Sequence, residues 1–409
     1  MRTLPITITV VLSLSLSSDA VAQAGGQLGG TLEPGPYAVG FRTLYLRDTT
    51  RAWRPSRPTV TGRDPGRPIR LSYWYPAKDE QTSPVMTYGD YFHYDGPADF
   101  RALNDTLEKT DRESWRSDLM EIAPNGGDLL SRLFATRVAA HRDAKPAAGP
   151  FPVLLYAAGK NSRADANVEL GEYLASHGYI VVTVPQLGPS EANIELGSSP
   201  EEIRLHEQDL DFAWGILRNL PWVEATRLAI AGHSAGGEVA IQYGMDHSGV
   251  AAVIGLDGSY GMYGEEQSAK NTRSRANGFP RFAPTRFEAP LLDMRRANGV
   301  QGATLDSSVV AALLASDRYV VTIPRMYHGD FTEWAPIAVF LGVPWTTTPD
   351  GRTRMTGLEG NEHAYRALLH FLEATVRHDV HGVDAMDAEL RRVAGVTVTH
   401  RPASRLGWR

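Results

Sequence analysis

Hydrophobic residues recur along the central part of the chain with two periods, one typical of buried strands and one typical of amphipathic helices. Short β-branched runs at 153–156, 179–184 and 227–231 have the length of buried strands. Between them, 168–177 and 201–220 carry apolar residues at helical spacing. This alternation predicts an α/β fold in which helices cover both faces of a mostly parallel sheet.

The same alternation continues towards the C-terminus. Runs at 250–256, 290–294 and 319–323 predict three further strands, and 361–377 predicts a final amphipathic helix. The carboxyl ends of parallel strands share one edge of a sheet, and ligands bind in the loops that follow them. We therefore expect the chemistry of this protein at the ends of these strands.

The earlier part of the chain has a different pattern. Residues 37–46 and 69–75 alternate as strands do, and the Pro- and Gly-rich stretch 54–68 predicts a loop between them. Residues 97–142 then carry apolar positions at helical spacing, which predicts two or three helices inserted before the third core strand at 153–156. The pattern leaves open whether this insertion lies near the mouth of a pocket or forms a packing layer.

The N-terminus has the pattern of a secretory signal peptide. Arg2 supplies a positive charge, Leu4–Leu16 is apolar, and Ala20-Val21-Ala22 fits a cleavage site, with Ala22-Gln23-Ala24 as a second option. We expect residues 1–22 to be removed and the protein to be exported, either to a periplasm or by secretion. The alternative is a buried N-terminal strand.

Composition narrows the classes of partner. The net charge of −6, with no basic cluster, argues against nucleic acid, and no apolar run beyond the N-terminal segment is long enough to span a bilayer. The chain has no cysteine, which excludes disulfides and a cysteine-linked lipid anchor.

The Gly-rich residues 23–35 predict a flexible segment, and residues 36–409 predict a single α/β domain. The sequence does not specify an oligomeric state.

One motif points to a specific chemistry. Residues Gly232-His233-Ser234-Ala235-Gly236 follow the apolar run 228–231 and precede the helical pattern at 238–241. A G-x-S-x-G between a strand and a helix is the nucleophile elbow of serine hydrolases, where glycines allow a close approach of the backbone. The alternative is a Gly-rich turn with an inert serine.

A serine nucleophile requires a histidine base and an acid that orients it. His328 follows the predicted strand 319–323 at the expected edge, and His363 is its rival. Asp257 directly follows the strand 250–256 and is the favoured acid. Asp293, inside the next strand, is the second candidate, and Asp306 is a weaker third.

Two backbone N–H groups are expected to form an oxyanion hole. One is that of Ala235, the residue after the nucleophile. The other is that of Lys160, in the loop that follows the strand 153–156, where Gly159 allows a close approach. The alternative is a plain turn between strand and helix.

Several blocks resemble the platelet-activating-factor acetylhydrolase group of the α/β-hydrolases. Residues 232–237 are similar to its G-H-S-x-G-G nucleophile motif, and 328–334 to its H-x-x-F-x-D-F stretch around the base. Residues 174–181 resemble its L-A-S-H-G-[FY]-x-V block, and 69–76 its early strand ending in Y-P. The resemblance implies an α/β-hydrolase fold with a catalytic triad.

The resemblance also bears on individual residues. It places the acid after the strand that follows the nucleophile helix, which supports Asp257 over Asp293. The oxyanion loop departs from the family pattern, since Ala158-Gly159 replaces the usual His-Gly and Lys160 replaces an apolar residue.

These patterns predict an exported serine hydrolase that cleaves short-acyl or lipid-like carboxylic esters through an acyl-enzyme on Ser234. No metal or organic cofactor is expected, because the chain lacks a motif such as H-E-x-x-H. Two alternatives remain: a serine peptidase or amidase on the same fold, and a non-catalytic binding protein that retains it.

Overall fold

The fold was obtained as a computed structural model, which describes residues 28, 30–53, 64–78, 83–123, 128–160, 167–190, 197–263, 278–302, 304–343 and 354–404. The predicted signal peptide, residues 1–22, lies outside the described residues. The strands are β1 (Ala38–Asp48), β2 (Arg67–Ala77), β3 (Val85–Thr87), β4 (Arg137–Arg142), β5 (Phe151–Ala157), β6 (Ile180–Thr183), β7 (Val223–His233), β8 (Val250–Leu256), β9 (Met262–Tyr263), β10 (Leu291–Arg296), β11 (Thr304–Leu305), β12 (Arg318–Ile323) and β13 (Thr397–Arg401).

The helices follow the strands in the alternation that the sequence predicts. They are α1 (Arg101–Ile122), α2 (Leu129–Phe134), α3 (Val168–Ser176), α4 (Pro200–Leu217), α5 (Ala235–Asp246), α6 (Ser308–Ala312), α7 (Trp334–Phe340), α8 (Arg354–Thr375) and α9 (Gly382–Leu390). In the described part of the chain, no helix combines the length and the apolar character needed to cross a membrane.

A sheet of eleven strands organises the described residues, in the order β13-β12-β10-β8-β7-β5-β6-β2-β1-β4-β3, and β9 and β11 form a separate antiparallel pair. The six strands from β12 to β6 in this order are all parallel. Antiparallel pairs flank them, with β2 beside β6 and β13 beside β12. This confirms the predicted mostly parallel sheet, and it gathers the carboxyl ends of six strands at one edge.

Helices cover both faces of the sheet. Successive side chains of a strand point to opposite faces, so an apolar strand needs a packing partner on each face. In β5, Leu154 and Tyr156 belong to the same buried cluster as residues of α3 and α8. Val153 and Leu155 belong to the cluster on the other face, with residues of α4 and α5. The predicted layered architecture is therefore confirmed.

The insertion between β2 and β5 is only partly helical. Helices α1 and α2 occupy 101–122 and 129–134, but residues 137–142 form β4, which pairs with β1 and with β3. The prediction of helices up to residue 142 is wrong for this last part. Val138 and Ala140 are buried and alternate with more exposed residues, which is the pattern of a strand.

The N-terminal segment that was expected to be flexible contacts the domain where it is described. Leu28 is buried, the backbone N–H of Thr31 donates to Glu362 Oε1 at 2.7 Å, and that of Gly35 donates to Ser176 Oγ at 2.9 Å. The expected flexibility of residues 23–35 stays a prediction, and residues 23–27 and 29 lie outside the described residues.

A buried ion pair connects the start of β2 to α4 and to the loop after β6. Arg67 Nε and Nη2 donate to the two oxygens of Asp209 at 2.7 and 2.6 Å. Arg67 also donates to the carbonyls of Leu187 and Gly188 at 2.6 and 2.7 Å. Because the side chains of both ions are almost fully buried, their charges depend on each other.

We predict that Asp209→Asn lowers the free energy of unfolding by about 3–5 kcal/mol, because it leaves the Arg67 guanidinium buried without a counter-charge. Chemical denaturation measures this change. The matched control is Asp143→Asn, which removes the exposed partner of Arg42 and is expected to cost no more than about 1 kcal/mol. Equal losses in the two variants would contradict the prediction.

Candidate active site

Ser234 lies in a strained turn at the end of β7, directly before α5. Its backbone has φ 55° and ψ −123°, a combination that residues other than glycine rarely adopt. Its N–H donates to the Leu256 carbonyl at 3.1 Å, and its own carbonyl accepts from Gly237 and Ser259 at 3.0 and 2.9 Å. These bonds hold the turn in place, and the Ser234 side chain is partly exposed at the strand edge.

The two glycines of the motif are required by close backbone contacts. A Cβ on Gly232 would lie 1.9 Å from the carbonyl oxygen of Gly236. A Cβ on Gly236 would lie 2.0 Å from the carbonyl oxygen of Ala157, at the end of β5. The start of α5 therefore lies directly against the end of the neighbouring strand.

The predicted acid lies beside the nucleophile at the same edge. The register of β7 and β8 pairs His233 with Leu256. Ser234 and Asp257 are the next residues of the two strands, so they leave the sheet side by side. Asp257 is fully buried and, like Ser234, has a positive φ of 47°.

The structure brings the predicted acid and base together. Asp257 Oδ2 and His328 Nδ1 are 2.5 Å apart. The other carboxylate oxygen, Oδ1, accepts the backbone N–H of Arg296 at 3.0 Å, and the Arg296 Nε lies 3.2 Å from Oδ2. These contacts occupy both carboxyl oxygens of Asp257 and fix the Nδ1 edge of the His328 ring against that side chain.

His233 holds the backbone of His328, the predicted base. Its Nε2–H donates to the backbone carbonyl of His328 at 3.0 Å, and the two imidazole rings lie 4.5 Å apart between centroids. Burial lowers the pKa of His233 to about 3. His233 is therefore neutral at ordinary pH, with its proton on the nitrogen that faces the carbonyl.

Gln301 holds the same loop from the other side. Its Oε1 accepts the backbone N–H of His328 at 2.8 Å and Nη1 of Arg296 at 2.7 Å. Both backbone polar groups of His328 therefore have a side-chain partner.

The structure shows no hydrogen bond between the Ser234 hydroxyl and the His328 imidazole, both of which belong to the described residues. The Nε2 of His328 is the ring nitrogen opposite the Asp257 contact, and the ring packs against that of His233, the residue before the nucleophile. Hydrogen bonds of this kind are often long in free enzymes and tighten when substrate binds.

The rival residues have other partners. His363 Nδ1 lies 2.7 Å from Glu389 Oε1. Asp293 accepts from the Tyr260 hydroxyl at 3.0 Å and is paired with Arg295. Asp306 Oδ1 accepts the backbone N–H of residue 308, at the start of the short helix α6.

The two predicted oxyanion donors come from adjacent segments. Ala235 begins α5, and Lys160 follows the end of β5, against which the turn at Gly236 packs. The amide of Gln186 donates to the carbonyl of Ala158 and so holds the loop after β5. The role of the Lys160 and Ala235 N–H groups stays a prediction.

The roles of His233, Arg296 and Gln301 were not predicted from the sequence. His233 is part of the motif, but nothing in the sequence indicates that its ring would support a loop almost a hundred residues later. Arg296 does carry a signal, since Arg295-Arg296 places two charges at the end of a buried strand. Among the described residues, no group of three or more His, Asp or Glu is placed to hold a metal ion.

Comparison with known proteins agrees with this geometry at the level of the fold. Residues 143–274, roughly a third of the chain, match the family model described as Chlorophyllase. That range includes Ser234 and Asp257 and ends before His328. A ferulic acid esterase from Streptomyces cinnamoneus matches 87% of this chain and 94% of its own with a TM-score of 0.57 and 18% identity. The chain therefore has the α/β-hydrolase fold.

Curated relatives are similar over a shorter stretch. Chlorophyllase-1, chloroplastic, of Citrus unshiu is 34% identical over 116 residues, which are 27% of this chain and 33% of the relative. The protein of the same name from Citrus sinensis matches with the same figures. The chain spans about a third of the length of these curated relatives. The resemblance to the platelet-activating-factor acetylhydrolase group stays a prediction.

We predict that Gly236→Ala destabilises the protein by about 1–3 kcal/mol, because the added Cβ overlaps the carbonyl of Ala157 and the turn must shift. Gly215→Ala is the matched control. Gly215 lies exposed inside α4 with nothing within 4 Å of an added Cβ, so this change is expected to stabilise by about 0.5–1 kcal/mol. Thermal or chemical unfolding of both variants checks the prediction, and a stabilised Gly236→Ala variant would contradict it.

Proposed function

We propose that this protein hydrolyses carboxylic esters through a covalent acyl-enzyme intermediate on Ser234. The observation that carries the proposal is the 2.5 Å contact between Asp257 and His328 at the sheet edge where Ser234 occupies its strained turn. The chlorophyllase match, and the name of the solved neighbour, an esterase, favour an ester as the substrate class.

The first half of the reaction forms the acyl-enzyme. With its Nδ1 proton directed at Asp257, His328 has a free electron pair on Nε2 that takes the proton of Ser234. The Ser234 oxygen attacks the ester carbonyl, and the N–H groups of Ala235 and Lys160 stabilise the oxyanion. His328 then returns the proton to the leaving alcohol as the carbon–oxygen bond breaks.

The second half releases the acid. His328 takes a proton from water, the resulting hydroxide attacks the acyl carbon, and Ser234 leaves with the proton that His328 returns. Asp257 keeps the tautomer of His328 and stabilises the imidazolium in both halves. Each role uses a residue that is already at the sheet edge.

His233 is a positioning residue in this mechanism. Its Nε2–H donates to the backbone carbonyl of His328 and so holds the loop that carries the base. Because burial lowers the pKa of His233 to about 3, its ring brings no positive charge next to His328 at neutral pH.

The finer substrate class is a short-acyl or lipid-like ester, as in the family that the sequence blocks resemble. Export is part of the proposal, and it rests on the signal-peptide pattern of residues 1–22. The departure at Lys160 in the oxyanion loop makes acyl length the property in which this protein is expected to differ from that family.

We predict that Ser234→Ala lowers kcat/KM for p-nitrophenyl esters by at least about 10³-fold, because the nucleophile is lost. A fluorophosphonate probe is expected to label the wild type and not this variant. His363→Gln, which changes the rival histidine, is the control and is expected to keep near wild-type activity. Equal labelling of wild type and Ser234→Ala would refute the mechanism, and faster cleavage of aminoacyl anilides than of esters would refute the substrate class.

We predict that His233→Leu lowers kcat/KM about tenfold, since an unpaired carbonyl costs about 1–3 kcal/mol and the His328 loop shifts to relieve it. His233→Gln places an amide N–H near the same carbonyl and is expected to recover most of the activity. Steady-state kinetics of the two variants, with their unfolding midpoints, separates positioning from general loss of stability. An equally impaired Gln variant would contradict the assigned role.

A further inference from the structure

A cavity of about 130 Å³ lies beside α3, and neither Ser234, Asp257 nor His328 lines it. Most of its wall is apolar, and its polar residues are Ser176, three tyrosines and three glutamates. Its apolar wall includes Leu28, Leu32, Val39 and Ile337, and its carboxyl groups are those of Glu169, Glu172 and Glu333. A closed apolar cavity of about 150 Å³ in another protein binds benzene, so this volume suits a ring of that size.

Two of the three carboxyl groups are satisfied by neutral donors. Glu172 accepts from the Tyr91 hydroxyl at 2.6 Å and from two backbone N–H groups of β4 at 3.0 and 3.2 Å. Glu333 accepts from the Tyr88 hydroxyl and from the first N–H of α3, both at 2.7 Å. These bonds fix the positions of the two carboxyl groups at the edge of the cavity.

Glu169 is different, because it is buried and has no hydrogen-bond partner in the described part of the chain. Its side chain lines the cavity with 6% of its surface exposed, and neither carboxyl oxygen has a hydrogen-bond partner among the residues that the structure describes. A buried polar group without a partner costs about 1–3 kcal/mol. A protein that retains such a group gains if a ligand supplies the missing bond.

The electrostatic surroundings of Glu169 favour a positively charged ligand. The charged groups that act on it are Glu333, Glu362 and Glu172, all carboxyls, and burial with these neighbours raises its pKa well above the usual value. Burial also raises the pKa of Glu172 to about 7. A cation in the cavity would offset this accumulation of like charge.

We propose that this cavity is a binding site for a small organic ammonium ion with an apolar body of about benzene size. The ammonium group donates to Glu169, and the body lies against Leu32, Val39 and Ile337. A metal ion fits less well, since the described residues hold no group of three ligands placed for one, and the wall is mostly apolar. Access is past Leu32, Pro34 and Tyr37, which are at least partly exposed.

Titration calorimetry of the full chain tests the proposed site. The ligands are benzylamine and, as a neutral molecule of the same size, benzyl alcohol. We expect benzylamine to bind at least about tenfold more tightly than the alcohol. Glu169→Gln keeps the shape of the side chain and is expected to remove that preference. Glu33→Gln, which removes an exposed charge near the entrance, is the control and is expected to change neither affinity.

Two further variants keep the proposal testable if Glu169→Gln does not fold. Leu32→Trp, at a partly exposed position of the wall, is expected to weaken both ligands about tenfold or more by filling the cavity. Ser234→Ala is expected to leave benzylamine binding unchanged, since Ser234 does not line this cavity. Equal affinity for amine and alcohol, unchanged binding to Leu32→Trp, or loss of binding in Ser234→Ala would overturn the proposal.

Discussion

The close approach of two backbone segments, the end of β5 and the start of α5, is the constraint on which the candidate site depends. An added Cβ on Gly236 would lie 2.0 Å from the Ala157 carbonyl, so only glycine fits. This contact adjoins the turn in which Ser234 has its positive φ, and it brings the start of the loop after β5, at Ala157 and Ala158, against Gly236. The cost of the strained turn is offset by its hydrogen bonds to Leu256 and Ser259 and by the buried strands on either side.

The segment after β12 links the proposed active site to the rest of the fold. His328 pairs with Asp257, and a few residues later Glu333 accepts the first N–H of α3 while Trp334 packs on Trp115 of the insertion at a ring separation of 5.1 Å. The insertion therefore supports the loop that carries the base. It also helps to bury the carboxyl groups beside α3, so one packing layer affects both the proposed active site and the cavity.

The parts of the fold that were predicted correctly are those with strong local patterns. The alternation of β5 to β8 with α3 to α5 can be recognised because each element buries one face and repeats with its own period. The strand order was not predictable, because it depends on which elements pack together. β4 was mistaken for helix because Val138 was assigned to the helical pattern of the preceding residues, whereas its pairing with β1 comes from a distant part of the chain.

Local patterns in the sequence are enough to predict the type of fold and the placement of Ser234, Asp257 and His328 in loops, because strand ends and turn glycines are local properties. The tertiary structure shows that Asp257 reaches His328, that His233 and Gln301 hold the backbone of that histidine, and that Glu169 is buried with no hydrogen-bond partner among the residues described. Those facts depend on distances between residues far apart along the chain. Such distances follow from the packing of the sheet and its helices, which no local pattern encodes.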